Sequence, residues 1–451
     1  MSFNNDFFIR DTVFVICKFL KRSDELNFLS SCRRLKQFDS IFFEKQYISL
    51  PNLLEQTSFT TKIIFSNFLS YQRLRQSDST SEKRDISTQD LLGHDRSSFT
   101  AKIINLYIEK EYAFLMYKDL FPNLKRIKWR KRSKEQVNWL PEGLIYLKMR
   151  QYEFHDTKAG LLTNLPDSIL TLKLQSLIPL TIKKFPTRLK HLTIYNGSNL
   201  ILKSLPETLT HLIISKEFNK PLDDLPKNLK LLHLGGYFDQ TLALPSSLNE
   251  LVLEDFDGSL DNLTASITHL TLGYFNGRLD HLPASLKYLK LKYCCQNLDK
   301  LPNKLEFLIL DNMVREEIYY LPARLGNLEI GSSNVSIDML PESIRKLKLS
   351  DEFNRNIKKL PYNLEHLIFG SSFDKPLPTL PKKLHTLTFG NAFNQPLPEL
   401  PDSLNALYFK KNFNRKIKKY PKSLQFMRIS KHYPFLNSIP KNVKLDLLKA
   451  F

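Results

Sequence analysis

Residues 361–380 read PYNLEHLIFGSSFDKPLPTL, residues 381–400 read PKKLHTLTFGNAFNQPLPEL and residues 401–420 read PDSLNALYFKKNFNRKIKKY. Aligned one under another, the three stretches share a grammar. A proline opens each unit. A leucine stands three residues after it (Leu364, Leu384, Leu404) and another six after it (Leu367, Leu387, Leu407). A phenylalanine follows at eight (Phe369, Phe389, Phe409). Successive side chains of a strand point to opposite faces, so the positions at six and eight share one side of a short strand. Next comes Phe with Asp or Asn: Phe373-Asp374, Phe393-Asn394 and Phe413-Asn414. An aliphatic residue closes each unit (Leu377, Leu397, Ile417).

The same anchor recurs upstream and downstream. It falls at Pro141, Pro166, Pro186, Pro206, Pro226, Pro245, Pro283, Pro302, Pro322, Pro341, Pro361, Pro381, Pro401, Pro421 and Pro440. Thr264 fills the one missing slot, and Pro122 opens a degenerate first unit with Leu124, Ile127 and Trp129. After a first step of 25 residues from Pro141, every step is 19 or 20. The pattern implies 17 coils over residues 121–440. Twenty residues cannot hold a strand, two turns and a helix, so the return side must be extended, in polyproline II or turn geometry. One coil cannot bury its own apolar face, whereas stacked coils build a continuous core. The expected fold is therefore a leucine-rich-repeat-like β-solenoid with a parallel sheet on one face, the strands about 4.8 Å apart. The Phe column should stack inside, and the Asn/Asp column should cap turn amides. Cys294-Cys295, Met313-Val314 and Asn334-Val335 replace Phe-Asn in three units, marking a bend or a binding feature.

The units Phe373-Asp374-Lys375-Pro376-Leu377, Phe393-Asn394-Gln395-Pro396-Leu397 and Phe413-Asn414-Arg415-Lys416-Ile417 resemble FNIP repeats. That family of leucine-rich-repeat relatives is abundant in social amoebae and in giant viruses of amoebae, and the resemblance implies an origin of that kind.

Residues 1–50 follow another grammar. Asp11 can cap a helix carrying Val13, Ile16 and Leu20, and Ser23 a second carrying Leu26, Leu29, Cys32 and Leu35. With Ile9, these residues resemble an F-box over about residues 6–48, although Ile9-Arg10 stands where the family has Leu-Pro. The resemblance implies a small α-helical domain. In it Ile9, Val13, Ile16, Leu20, Leu26, Leu29, Cys32 and Leu35 would dock on the Skp-type adaptor of a cullin–RING ubiquitin ligase. The alternative is a helical cap for the solenoid. Residues 51–120 read as a linker and N-terminal cap, with a polar, mobile loop near 77–98. Residues 441–451 read as a C-terminal cap over the last sheet edge.

The formal net charge is +20 in 451 residues, and it is uneven. Residues 1–140 are net +8 and residues 401–451 net +10. Lys125, Arg126, Arg130, Lys131 and Arg132 form one basic patch; Arg415, Lys416, Lys418 and Lys419 form another. Such patches suit an acidic or phosphorylated target protein. No nucleic-acid motif accompanies them, so a basic nucleic-acid-binding solenoid is only an alternative.

Positions five and seven after each anchor should face outward on the strand side and hold a target. They include Tyr146, Lys148, His191, His211, Tyr288, Lys290, Phe307, Tyr408 and Arg428, with Tyr195 beside them. His191 and His211 fall on neighbouring strands, but two histidines do not make a zinc site. Four cysteines at these spacings make neither a disulfide framework nor a metal site, which fits a reduced intracellular setting, cytoplasmic, with the nucleus left open. No run is long and apolar enough for a membrane span. No nucleophile elbow, phosphate loop or metal signature appears, so no enzyme and no cofactor are expected. The whole reads as a monomeric, non-catalytic recognition adaptor of a ubiquitin ligase. The alternative is a protein-interaction scaffold with no ligase link.

Overall fold

A computed structural model of the chain describes residues 62–65, 105–108 and, with short gaps, 124–448. The expected helical domain at 1–50 and the polar stretch at 77–98 lie outside the described residues. Two compact units, 1–216 and 217–451, are treated in turn.

The first unit contains β1 (Lys62–Phe65), β2 (Asn105–Ile108), β3 (Arg126–Trp129), β4 (Tyr146–Gln151), β5 (Gly160–Leu162), β6 (Thr171–Ser176), β7 (Leu180–Ile182), β8 (His191–Tyr195) and β9 (His211–Ser215). Strands β1, β2, β3, β4, β6, β8 and β9 pair side by side in that order, all parallel. Strands β1 and β2 thus extend the ladder ahead of Pro122, within the stretch read from sequence as linker and cap. Strands β5 and β7 form a separate parallel pair on the return course, Leu161 opposite Thr181.

The second unit contains β10 (Leu231–Tyr237), β11 (Glu250–Asp255), β12 (His269–Tyr274), β13 (Tyr288–Tyr293), β14 (Phe307–Asn312), β15 (Asn327–Ile330), β16 (Lys346–Lys348), β17 (His366–Ile368), β18 (Thr386–Thr388), β19 (Ala406–Tyr408), β20 (Phe426–Ser430) and β21 (Lys444–Leu448). Each pairs in parallel with the next. Among the described residues nothing pairs with the outer side of the last strand, where Leu445 and Leu447 are exposed. Among the described residues the return side carries no α-helix, only one 3-10 turn at Leu436–Ser438.

The architecture is a parallel, leucine-rich-repeat-like β-solenoid of about 13 turns. The sequence anchors implied 17. The coils opened by Pro122, Pro141, Pro166, Pro186, Pro206, Pro283 and Pro302, among others, contain residues outside the described set. From Pro141 to Pro421 a strand begins five residues after every anchor, Thr264 included. The anchor works through a turn: the Leu364 N–H donates to the Pro361 carbonyl (3.1 Å), as Leu384 does to Pro381 (3.1 Å) and Leu404 to Pro401 (3.0 Å). Only the carbonyl of the proline is used, so its missing N–H costs nothing.

Leucines at three and six after the anchor are wholly buried, among them Leu364, Leu367, Leu384, Leu387, Leu404 and Leu407. Behind them the Phe column stacks as its spacing required. Phe353, Phe373, Phe393 and Phe413 lie 5.8, 5.9 and 6.0 Å apart from one to the next, stacked with interplanar angles of 22°, 3° and 9°. A second column, Phe369, Phe389 and Phe409, runs beside it at 5.5 and 5.3 Å steps. Within each coil the two rings stack on one another at 3.8–4.0 Å.

The Asn/Asp column does something other than cap its own turn. Asn354 Oδ1 accepts from the Asp374 N–H (3.0 Å), Asp374 Oδ1 from Asn394 (2.9 Å), and Asn394 Oδ1 from Asn414 (3.1 Å). Asn334 starts this ladder by accepting from Asn354 (3.0 Å). Each side chain therefore satisfies the corner amide of the next coil. A hydroxyl ladder runs along the opposite corner. Ser247, Ser266, Ser285, Ser343, Ser403 and Ser423 donate to a leucine or isoleucine carbonyl of the preceding coil at 2.6–2.8 Å. Close approach also dictates glycine. A Cβ on Gly370 would sit 2.0 Å from the Ser350 carbonyl oxygen, and one on Gly390 1.9 Å from that of Gly370.

Phe393→Ala should cost about 3–5 kcal/mol, the usual penalty for an emptied aromatic core site, read from the urea midpoint of the second unit. Asn394→Ala should speed hydrogen exchange at the Asn414 amide, while Asn394→Asp, which keeps the acceptor, should leave it protected.

Candidate interaction face

Because strands align without offset, side chains five and seven after the anchor form two parallel columns on the open side of each sheet. In the first unit the column in register with position five runs Arg126 (four after Pro122), Tyr146, Thr171, His191, His211, and that in register with position seven Lys128 (six after Pro122), Lys148, Lys173, Thr193, Ile213. No Asp or Glu stands anywhere in β3, β4, β6, β8 or β9. The guanidinium of Arg126 lies over the Tyr146 ring at 4.5 Å, with the Lys128 ammonium 6.0 Å from the same ring. Lys148 lies 5.9 Å from the Tyr195 ring. Cations over ring faces at these distances are attracted by the ring quadrupole.

The electrostatics of this face are cationic. Burial holds the His191 imidazole below its ordinary range, and the charges of His211, Lys190 and Lys173 push the same way. Its ring tilts against His211 with centroids 4.5 Å apart. Burial pushes the Tyr146 hydroxyl up, against the pull of Arg126. The Thr210 hydroxyl and His211 Nδ1 are 2.8 Å apart, which fixes that ring. Among the described residues no third His, Cys, Asp or Glu joins the histidine pair as a metal ligand.

The second unit presents a different face. Its cations are matched by carboxylates. Glu254 lies between His233 Nε2, at 3.2 Å, and the Lys292 ammonium. Lys290 pairs with Asp311 (2.7 Å), and Lys346 and Lys348 share Glu329 (2.8 and 3.4 Å). Arg428 donates to Asp446 (2.6 Å) and lies 5.8 Å from the Tyr408 ring. Burial keeps His233 below its ordinary range, against the pull of Glu254. Burial alone would raise the Glu254 carboxyl. The Lys292 and His233 bonds and charges outweigh it and hold the group below its usual range. Aromatic rings also line up here: His269, Tyr288 and Phe307 follow one another at 5.6 and 6.3 Å, and Tyr274 stacks on Tyr293 at 4.0 Å.

The structure thus brings Arg126, Tyr146, Lys148, His191, Tyr195 and His211 together on one sheet face, and Tyr288, Lys290 and Phe307 on another. Tyr408 and Arg428 stand on neighbouring strands further along the second unit. The basic patches are not part of these columns, Arg126 excepted. Lys125 is half-buried, its carbonyl accepting from Ile145 and Tyr146. Arg130, Lys131 and Arg132 lie outside the described residues, as do all the residues named for the F-box. Arg415, Lys416, Lys418 and Lys419 are exposed around buried Ile417, off the strand face, with Lys419 3.6 Å from Glu399. Sequence reasoning missed the neutralising acids Glu254, Asp311 and Glu329. Their positions seven and nine after an anchor, interleaved with lysines, were the available signal.

A family model described as FNIP Repeat matches residues 218–256, 353–392 and 393–432. No F-box match accompanies it. Among solved structures the chain is similar to the circular leucine-rich-repeat protein CroV588. They are 22% identical over 77% of this chain and 73% of that one, with a TM-score of 0.44. It is also similar to YopM from Yersinia enterocolitica, 18% identical over 81% of this chain and all of that one, with a TM-score of 0.43. A leucine-rich-repeat protein from Bacteroides ovatus is 13% identical over 77% and 84% of the two chains, with a TM-score of 0.16. No curated protein gives a significant match. The chain carries FNIP repeats on a leucine-rich-repeat-like solenoid. Among the described residues no helix is long and apolar enough to cross a membrane.

The depressed Glu254 carboxyl sets a pH dependence. A carboxylate whose folded pKa lies below its ordinary value of 4.5 stabilises above that value and loses the contribution as pH falls through the folded pKa. Glu254→Gln should therefore lower the melting temperature of the second unit more at pH 6 than at pH 3. Equal shifts at both pH values would show that the ionised carboxylate adds nothing.

Proposed function

We propose that the chain is a non-catalytic protein-interaction scaffold whose open strand face holds a partner protein. The observation that carries this reading is the pair of in-register columns on each sheet. They offer aromatic, imidazole and basic side chains in a single layer, with the core sealed behind them. Partner surfaces are held by clusters of aromatic and arginine anchors, and Tyr146, Arg126, Tyr288, Phe307, Tyr408 and Arg428 are of that kind. Lysine-reactive cross-linking of the full chain with a co-purifying partner should join it to strand-face lysines such as Lys173 and Lys348. Cross-links confined to the return side, at Lys416 and Lys418, would oppose the reading.

We further propose that residues 1–50 join this scaffold to a cullin–RING ligase as its substrate-recognition adaptor, on the pattern of Val13, Ile16, Leu20, Leu26 and Leu29. Proximity would then be the whole contribution to catalysis, other subunits supplying the chemistry. Full-length chain should bind a Skp-type adaptor stoichiometrically, and Leu26→Asp with Leu29→Asp should abolish binding. No binding by folded wild type would remove the ligase link and leave the scaffold.

A further inference from the structure

We propose that β21 is a self-association edge: it pairs antiparallel with β21 of a second copy of this chain, about a two-fold axis at Leu445. This goes beyond the scaffold reading and does not depend on it.

The outer side of β21 is fit to receive a strand. Leu445 and Leu447 stand in register with Met427 and Ile429 of β20. Those two side chains are wholly buried, whereas Leu445 is 39% and Leu447 44% exposed. The core columns are therefore part-open at this strand, and covering them is favourable. The backbone has the matching phase. The Lys444 N–H donates to the Gln425 carbonyl (2.8 Å), and the Lys431 N–H donates to the Leu448 carbonyl (3.2 Å). Backbone groups alternate sides along a strand, so Lys444, Asp446 and Leu448 bond towards β20, and Leu445 and Leu447 direct theirs outward. Such a row is a template for a further strand.

The residues of β21 select the occupant. They read KLDLL, with a cation and a carboxylate two positions apart. With Leu445 opposite Leu445 of the second copy, each Lys444 faces the other copy's Asp446. Both ion pairs fall at non-hydrogen-bonded positions, where facing side chains are closest. They lie on the open strand face, in register with Phe426 and Arg428. Arg428 donates to Asp446 Oδ2 (2.6 Å), and a carboxylate has acceptor capacity for a second cation. On the core side Leu445 meets Leu445, and Leu447 meets Val443, itself buried. Leu445 exchanges both backbone bonds with its counterpart, and each Leu447 N–H meets the other Val443 carbonyl. Moving the axis to Asp446 would set the two carboxylates face to face, a like-charge pair. Charge, apolar side chains and backbone phase thus agree on one register. A two-fold pairing uses the edge of both copies, so association closes at the dimer.

The test follows the mass of the full chain by sedimentation equilibrium from about 1 µM to about 1 mM, since one strand pair is a small interface. A monomer–dimer equilibrium is expected. Lys444→Glu alone or Asp446→Lys alone should weaken it about tenfold, because each turns two cross-strand attractions into repulsions. Mixing the two single variants should restore the dimer as a heterodimer, each supplying the charge the other lacks, a rescue that no folding defect would allow. Hydrogen exchange at the Leu445 amide should slow as concentration rises. A monomer at every concentration would overturn the proposal. So would a dimer that both substitutions leave unchanged, which would place the contact elsewhere. Weakening by both without rescue on mixing would overturn the antiparallel register. Protection of Leu445 that does not vary with concentration would show the edge covered by the chain's own residues, and would overturn the pairing with a second copy.

Discussion

The corner amide is the constraint on which this architecture depends. A coil of 19 or 20 residues turns sharply, and at each corner it presents N–H groups that its own strand cannot satisfy. Buried or half-buried, such a group costs about 1–3 kcal/mol if left unpaired. The chain meets the demand from the neighbouring coil. Asn334, Asn354, Asp374 and Asn394 each accept from the residue 20 positions on, and serines at the other corner donate backwards. Asn and Asp serve equally because only a carbonyl-type oxygen is required, which is why both appear in one column. Register follows: a coil one residue out of step would break the side-chain ladder, unstack the Phe column and turn the strand leucines outward.

That constraint explains how much was legible. Period, strand position, buried leucines and the Phe spine are all local to one coil, and repetition multiplies the signal. Pro361, Leu364, Leu367 and Phe373 could therefore be assigned before any coordinates. The target of the Asn side chain could not, because a sequence shows the acceptor but not which amide lies under it. Strands β1 and β2 were missed for a similar reason. Neither Lys62–Phe65 nor Asn105–Ile108 follows a proline anchor, and short apolar runs without punctuation are ambiguous between strand and helix.

The outward columns of the strands were legible in the sequence as geometry and incompletely as chemistry. Lys148 and Lys290 sit at the same place in their coils and look equivalent in sequence. The Lys148 ammonium lies 5.9 Å from the Tyr195 ring two strands on, whereas Lys290 pairs with Asp311 on the next strand. Charge on a solenoid belongs to a column and its flanks, not to a residue, so net charge per segment separates the faces poorly. Much of the +10 of residues 401–451 stands off the strand face, as at Arg415, Lys416, Lys418 and Lys419.

The same geometry bears on the class of function. A catalytic centre needs groups that converge on one atom from several directions, within about 3 Å of it. A parallel ladder offers a single layer of side chains at intervals of about 4.8 Å along the sheet. Such a layer is suited to reading an extended surface, since each added coil adds one more contact without disturbing the last. Substitution at an outward position leaves the Leu and Phe columns untouched, so the face is free to vary while the corner bonds and the spine are not. A fold whose stability is held in one set of columns and whose variable side chains are displayed in another suits the recognition role proposed for it.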